Sequence, residues 1–494
     1  MRTNKRETRR HRSERKRKKG ITLGDEERDA TAVDVETLSE DHTVAETIAT
    51  LEDDFDDAEN EEEWGDVDEM LSTGSGGSGA AQQRAASNRQ AKLMEVLGTI
   101  EDLQSEKRSS KREMGLRRLF RALTQYACGV EGMERVGDAR LEIVQACRSS
   151  GLERGPAEQY AACRVLEALA LILPSHYVED DEDNSHAQQI QSMLRRVVMA
   201  TGRAPLVRGA ALRAMSLTAF VSGDEVIVEG LMDICEEVMA TKWRGQEVPS
   251  ALRATALDCW TLLSTAISSV YVSGKSDLHT GRGCLLLDPL LLGCLDSPHA
   301  ELRAAAGECV VVIHEARAEV LQQEEEWNAS EPWEGSEWEE AMDEMQQRMA
   351  ELATESTKHM SKRAKKQQRA TFRDFLGTIS EQEEAPEETI TLKGGALTLS
   401  LTTWGDLVRL NFIRHCLQGG FQMQLLTNPS LQELFGIDAR ALMGPNNGLS
   451  QLEKRLILSK TSEAAKAAHR DMTRKRRVRN NIKNHFLTAD GEEI

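Results

Sequence analysis

The densest chemically capable cluster lies near the C-terminus, where Lys466, Arg470, Arg474, Lys475, Arg476, Arg477, Arg479 and Lys483 face Asp471 as their one acidic neighbour. Helical spacing puts Arg470, Arg474 and Arg477 on one face, and Lys475, Arg476, Arg479 and Lys483 widen it around the cylinder. Only Met472, Val478 and Ile482 offer much apolar surface, so such a helix has little to bury against a core. Guanidinium groups bind phosphate in a bidentate way and stack on bases, so the chemistry on offer is polyanion binding, RNA first. The plain alternative is a solvated tail offsetting an acidic body. A second basic run, Arg9, Arg10, Arg15, Lys16, Arg17, Lys18 and Lys19, reads equally as a nuclear-localisation signal or as generic attraction to RNA.

Catalytic patterns are missing. Gly274-Lys275-Ser276 looks like the end of a phosphate-binding loop, but Ser269 stands where that loop requires glycine. The histidines show no H-E-x-x-H spacing, and His314 reads as a helix residue with its polar atoms satisfied. Carboxylates crowd into surface runs, where burial is not expected to tune them. Nine cysteines without a C-x-x-C pair read as small buried hydrophobes rather than metal or redox groups. The expectation is therefore no catalytic residue, metal, cofactor or small-molecule substrate.

Charge is segregated along the 494 residues, which carry a formal net charge of −20. Residues 1–20 hold eleven Lys/Arg, whereas 24–69 hold 21 Asp/Glu against Arg28. Like-charge blocks this dense repel themselves and read as interaction tails. No apolar h-region opens the chain, and the best apolar run, 284–295, is broken by Asp288 and Pro289. A bilayer needs about 20 apolar residues, so the expectation is no membrane and a cytoplasmic or nuclear setting.

These segments need a platform. One helical pattern recurs at Arg112, Tyr160, Arg208, Arg253 and Arg303, with a small residue three places on: Gly115, Cys163, Ala211, Ala256 and Ala306. Pro156, Pro205, Pro249 and Pro298 stand just upstream, where proline suits a first helical position. A period in the forties belongs to armadillo and HEAT arrays, which present binding surfaces rather than chemistry. The recurrent arginines then pair with an acidic side chain or helix end in the adjacent repeat, or else line a basic groove. Import receptors of this architecture use a W-x-x-x-N ladder, but Trp260 is followed by Ser264. Helical periodicity starts near Asn88, and a helix from Ser109, capped by Ser109 or Ser110, carries Leu116, Leu119, Phe120 and Leu123. The stretch 324–355 reads as an exposed loop leading into a surface helix. Residues 389–400 read as a hairpin turning at Gly394-Gly395. Helices follow at Trp404–Gln418 and Ser430–Phe435, and a last one from about Leu449 to Phe486.

The chain resembles the interferon-related developmental regulators. The N-terminal likeness runs from Ile100-Glu101-Asp102-Leu103 through Lys107-Arg108-Ser109 and Arg112-Glu113 to Leu116, Leu119 and Arg121-Ala122-Leu123. The C-terminal one comprises Thr371-Phe372-Arg373-Asp374, the hairpin, Trp404, Leu417 to Gly420, and Leu431 with Leu434-Phe435. It closes with Lys460, Glu463 to Ala467, and the arginine-rich Arg474 to Arg479, so that it spans about 90–486. The resemblance implies an armadillo-type fold and a non-enzymatic regulator of gene expression. It implies either binding to inactive ribosomes through the C-terminal helix or transcriptional co-regulation that recruits deacetylase complexes.

The expected fold is all-α: an armadillo/HEAT-like α-solenoid, then a small C-terminal α domain with a β-hairpin, then a basic C-terminal helix. The segments are a basic-then-acidic arm with a Gly/Ser linker (1–88), helical repeats (89–320), a charged connector (321–370), the C-terminal domain (371–458), and the basic helix and tail (459–494). Expected partners are the ribosome or other RNA through Lys466 to Lys483, and proteins through the solenoid.

Overall fold

Small side chains recur where helix backbones must approach, and the fold is built on those approaches. The computed structural model describes residues 79–173, 183–273, 282–286, 290–327, 336–354, 362–381, 384–392 and 397–437. The chain opens with α1 (Gly79–Gly98), α2 (Ile100–Ser105) and α3 (Ser109–Arg121), the last running into a π-helical turn at Ala122–Tyr126. Then come α4 (Gly129–Asp138), α5 (Arg140–Ala146), α6 (Pro156–Ile172), α7 (Asp183–Met199), α8 (Pro205–Ser222) and α9 (Glu225–Met239). A two-residue ribbon, β1 (Lys242–Trp243) with β2 (Gln246–Glu247), precedes α10 (Ser250–Ser264). Short helices α11 (Ser269–Ser273), α12 (Arg282–Leu286) and α13 (Leu292–Leu295) lead to α14 (Ala300–Trp327).

The five anchors fall on α3, α6, α8, α10 and α14, and each of these helices packs on the next. Cys163, Ala211, Ala256 and Ala306 are fully buried in that stack. At Gly115 a Cβ would come within 2.7 Å of Leu103 Cδ1, so the smallest residue sits where α2 crosses α3. Helices α7, α9 and α11 cover one side by packing on α8, α10 and α14 respectively. The stacked helices are therefore buried almost all round, which explains why α6, α8 and α10 are so apolar. A full Leu or Val burial contributes about 1.5–3 kcal/mol, and dozens of such side chains make up this core. Gly223 (φ 65°) ends α8 in the left-handed region, and Asp224 Oδ1 then accepts from Val226 N (3.0 Å) and Ile227 N (3.3 Å) to start α9.

The structure extends or corrects several expectations. Helix α1 begins at Gly79, nine residues before the apolar periodicity, because its Ala/Gln/Arg start has helix propensity without an apolar stripe. Ser109 is no cap; it is the first residue of α3, and its hydroxyl donates to Glu158 Oε1 at 2.7 Å. Pro156 and Pro205 open their helices, whereas Pro249 is an N-cap and Pro298 lies two residues ahead of α14. The connector contains the helix expected of it, though not as a helix lying free on the surface. Its α15 (Ser336–Thr354) buries Met342, Met345, Met349 and Leu352 against α16 (Lys362–Glu381), a methionine stripe standing in for the missing aliphatics. The boundary between 370 and 371 falls inside α16, whose Phe372 and Phe375 press on Gly307 of α14.

The two strands of the expected hairpin form, while its turn residues lie outside the described residues. Strands β3 (Glu388–Leu392) and β4 (Leu397–Leu401) pair antiparallel from Glu388↔Leu401 to Leu392↔Leu397, a register centred on Gly394-Gly395. Beyond it lie α17 (Trp404–Leu417), a 3-10 turn (Gln418–Gly420), α18 (Phe421–Thr427) and α19 (Pro429–Leu434). Helix α18 falls in the stretch the sequence left between two helices. The helix expected from about Leu449 to Phe486 lies outside the described residues. Among the described residues no helix is long and apolar enough to cross a membrane.

Candidate functional site

The two basic clusters, Lys466, Arg470, Arg474, Lys475, Arg476, Arg477, Arg479 and Lys483, and Arg9, Arg10, Arg15, Lys16, Arg17, Lys18 and Lys19, lie outside the described residues. What the structure does place is the platform ahead of the first cluster and the recurrent arginines.

Those arginines are structural. Arg112 donates to the carbonyls of Glu106 (3.3 Å) and Lys107 (2.6 Å), just past α2, and pairs with Glu158 of the next repeat at 2.9 Å. Arg208 Nε donates to Val198 O at 2.9 Å in the last turn of α7, and its guanidinium lies over the Trp243 ring. Arg253 Nε reaches Met239 O (2.6 Å) at the end of α9, and Arg303 Nη1 reaches Ser297 O (2.7 Å) beyond α13. Each guanidinium thus binds a carbonyl at or just past the end of the preceding helix, with a charge suited to that end of the dipole. Trp260 is fully buried and donates to Glu236 Oε1 at 2.9 Å, so it is no ladder residue.

The open side of the stack is covered by the chain itself. Helix α17 packs on α14, α10 and α6, and the solenoid holds both of its ends. At its start, Glu315 of α14 accepts from Trp404 N and Gly405 N, both at 2.9 Å. At its finish, Arg164 of α6 donates to His415 O (2.6 Å) and Cys416 O (3.3 Å). An anion at the N-terminus and a cation at the C-terminus both complement the helix dipole. Arg164 is also ion-paired with Glu167, and the two side chains are 1% and 0% exposed. Midway, Arg409 donates to Thr265 O at 2.5 Å, and Arg213 of α8 meets His415 Nε2 at 3.2 Å.

The next segment docks through buried amides. Gln424 Nε2 donates to the carbonyls of Leu123, Thr124 and Ala127 at 3.0–3.3 Å, and Asn428 Nδ2 to Leu171 O at 2.9 Å. Gly420 makes the approach possible, since a Cβ there would lie 2.3 Å from Thr124 O. The described chain ends at Ile437, which is buried.

Buried carboxylates were not foreseen. Glu158 and Glu167 are buried, and burial lifts Asp258 to about 6 and Glu308 to about 7. Asp258 keeps about a third of its side chain in contact with solvent, so the geometry argues for a weaker shift there. Burial also raises Glu315 and lowers His415. A signal existed: Arg213, Asp258 and Glu308 each follow their anchors by five residues, one register position that stays polar on apolar helices. His314, expected to be satisfied, leaves Nδ1 buried without a hydrogen bond. Among the described residues no group of three or more His, Cys, Asp or Glu is placed to hold a metal. Eight cysteines are described, all free; seven are buried, and burial pushes Cys163, Cys259 and Cys309 up to about 12.

On the outer side of α16, Lys365, Lys366, Arg369, Ala370 and Arg373 line a shallow groove of about 420 Å³. These side chains belong to one basic run of α16, which carries Lys362, Arg363, Lys365, Lys366, Arg369 and Arg373 in sequence.

Comparison with known proteins gives a consistent result. The family model for the interferon-related developmental regulator (IFRD) matches residues 46–380. Interferon-related developmental regulator 1 of Mus musculus is 25% identical over 344 residues, 68% of this chain and 69% of its own length. The Sus scrofa regulator 1 is 22% identical over 395 residues, covering 76% of this chain and 81% of itself. Regulator 2 of Mus musculus is 28% identical over 218 residues, 42% of this chain and 44% of its own. The family match begins inside the acidic block and stops before the hairpin, so the C-terminal motifs from Trp404 onward lie beyond it.

Proposed function

The chain belongs to the interferon-related developmental regulator family, a family of gene-expression regulators, and from that premise we propose that it acts by binding ribosomal or other RNA through its basic C-terminal segment. The observation that carries the reading is the charge of residues 466–483, eight Lys/Arg against Asp471. Phosphate neutralisation by such a segment releases counterions and is largely indifferent to sequence, as translation repression or ribosome dormancy would need.

Reversing Arg474, Arg476, Arg477 and Arg479 to Glu is expected to abolish co-sedimentation with ribosomes while leaving the circular dichroism spectrum unchanged. For about five neutralised phosphates the log–log salt slope is about −3 to −4. Unchanged sedimentation of that variant would sink the reading.

The second reading is a nuclear co-regulator that binds protein partners such as deacetylase complexes through the solenoid, and the basic run Arg9 to Lys19 favours it. Solenoids commonly use their concave surface for partners, and here α17 already covers part of α6, α10 and α14. A pull-down with and without RNase separates the two: partners lost on RNase favour RNA, and partners retained favour the solenoid.

A further inference from the structure

The outer face of α16 is a row of cations on a rigid support. From Lys362 to Arg373 the helix contains no acidic residue, and Lys366, Arg369 and Arg373 recur at i, i+3, i+7, with Lys365 beside them. At about 1.5 Å per residue, Lys366 and Arg373 stand about 10 Å apart along the axis. Lys366 and Arg373 are exposed, and no salt bridge involves Lys365, Lys366 or Arg373 among the described residues. The opposite face is fixed: Phe372 and Phe375 are 1% and 2% exposed, pack edge to face, and close on Gly307 and Trp404. Helix α16 therefore presents its charges with little further ordering cost.

We infer that the α16 row is a second RNA phosphate-binding surface, built into the platform and distinct from the C-terminal segment. Charge complementarity selects the partner. The row offers Lys and Arg heads around Ala370, with no exposed aromatic or large aliphatic side chain to anchor a protein. Phosphates spaced along a strand match a line of point charges and guanidinium forks. The inference rests on the reading of the chain as an RNA binder, though not on the C-terminal segment being the contact.

The test uses full-length protein and a fluorescein-labelled oligouridylate, read by anisotropy across a salt series. The variants are Lys365→Ala/Lys366→Ala/Arg373→Ala, the C-terminal reversal, and both together. Three lost single-strand phosphate contacts should reduce the salt slope by about 2, so the wild-type advantage shrinks about 18-fold between about 50 and 200 mM salt. The α16 substitutions should weaken binding further in the C-terminal reversal background, and Lys365→Arg/Lys366→Arg should keep wild-type affinity. The C-terminal reversal alone tests the earlier reading, so the two can fail separately. An affinity and slope left unchanged by the α16 substitutions would overturn the inference. So would an affinity raised by them.

Discussion

Replacing Arg164 by Met should uncouple the C-terminal helices from the solenoid more than any other single change on the platform. Its guanidinium is ion-paired with Glu167 in a setting where both side chains are essentially dry, and it also closes the end of α17. Removing one partner leaves Glu167 as an uncompensated buried charge, a loss of about 3–5 kcal/mol. The pair itself is imperfect, since Arg164 Nε and Glu167 Oε1 have no hydrogen-bond partner. Replacing both residues with apolar ones should therefore recover most of that loss, because well-packed hydrophobic pairs are often neutral or better. What Arg164→Met/Glu167→Met cannot recover is the capping of His415 O and Cys416 O, about 1.5–3 kcal/mol for bonds to a charged donor. The expected order is wild type, then the double variant, then Arg164→Met. Urea unfolding followed by far-UV circular dichroism ranks them, and hydrogen exchange across 404–437 locates the effect. Arg164→Met within about 1 kcal/mol of wild type, or a double variant no better than the single, would refute the reasoning.

Three further outcomes are expected. Burial raises Glu308 to about 7 from an ordinary 4.5, and raises the partly exposed Asp258 above its ordinary 3.8 by less than full burial would. The folded state thus holds their protons more tightly, and stability falls as pH rises from about 4 through 7; Glu308→Gln should flatten the urea-midpoint profile, and an unchanged profile would count against burial of that carboxyl. Gly420→Ala places a Cβ against the rigid Thr124 carbonyl and should cost about 1–3 kcal/mol, with faster hydrogen exchange over 421–437; unaltered exchange there would contradict the close approach. Native protein treated with iodoacetamide at about pH 8 should leave Cys163, Cys259 and Cys309 unlabelled by peptide mapping, because their thiols stay protonated and buried.

Much of the fold is legible in the primary structure, for a physical reason. Helix stacking demands a small residue at each close crossing, so the pattern behind Arg112, Tyr160, Arg208, Arg253 and Arg303 is written at fixed intervals. Methionine hid the buried face of α15, because a stripe of Met342, Met345 and Met349 inside an acidic stretch does not read as apolar. Pattern reading also cut α16 in two, since its first half shows cations and its second half shows phenylalanines. Asp258 and Glu315 escaped because a charged residue on an apolar helix is explained only by its partner, and their partners, Arg213 and the start of α17, come from distant sequence.

The amino-acid sequence by itself determined a repeat architecture, a family and a charge map, since spacing, composition and sign are local properties. Only the tertiary structure decided that the recurrent arginines close helix ends rather than line a groove, and that the open side of the stack is filled by α17. Those outcomes depend on which carbonyls and carboxylates lie within hydrogen-bond reach once residues some 250 positions apart, such as Arg164 and His415, are brought together.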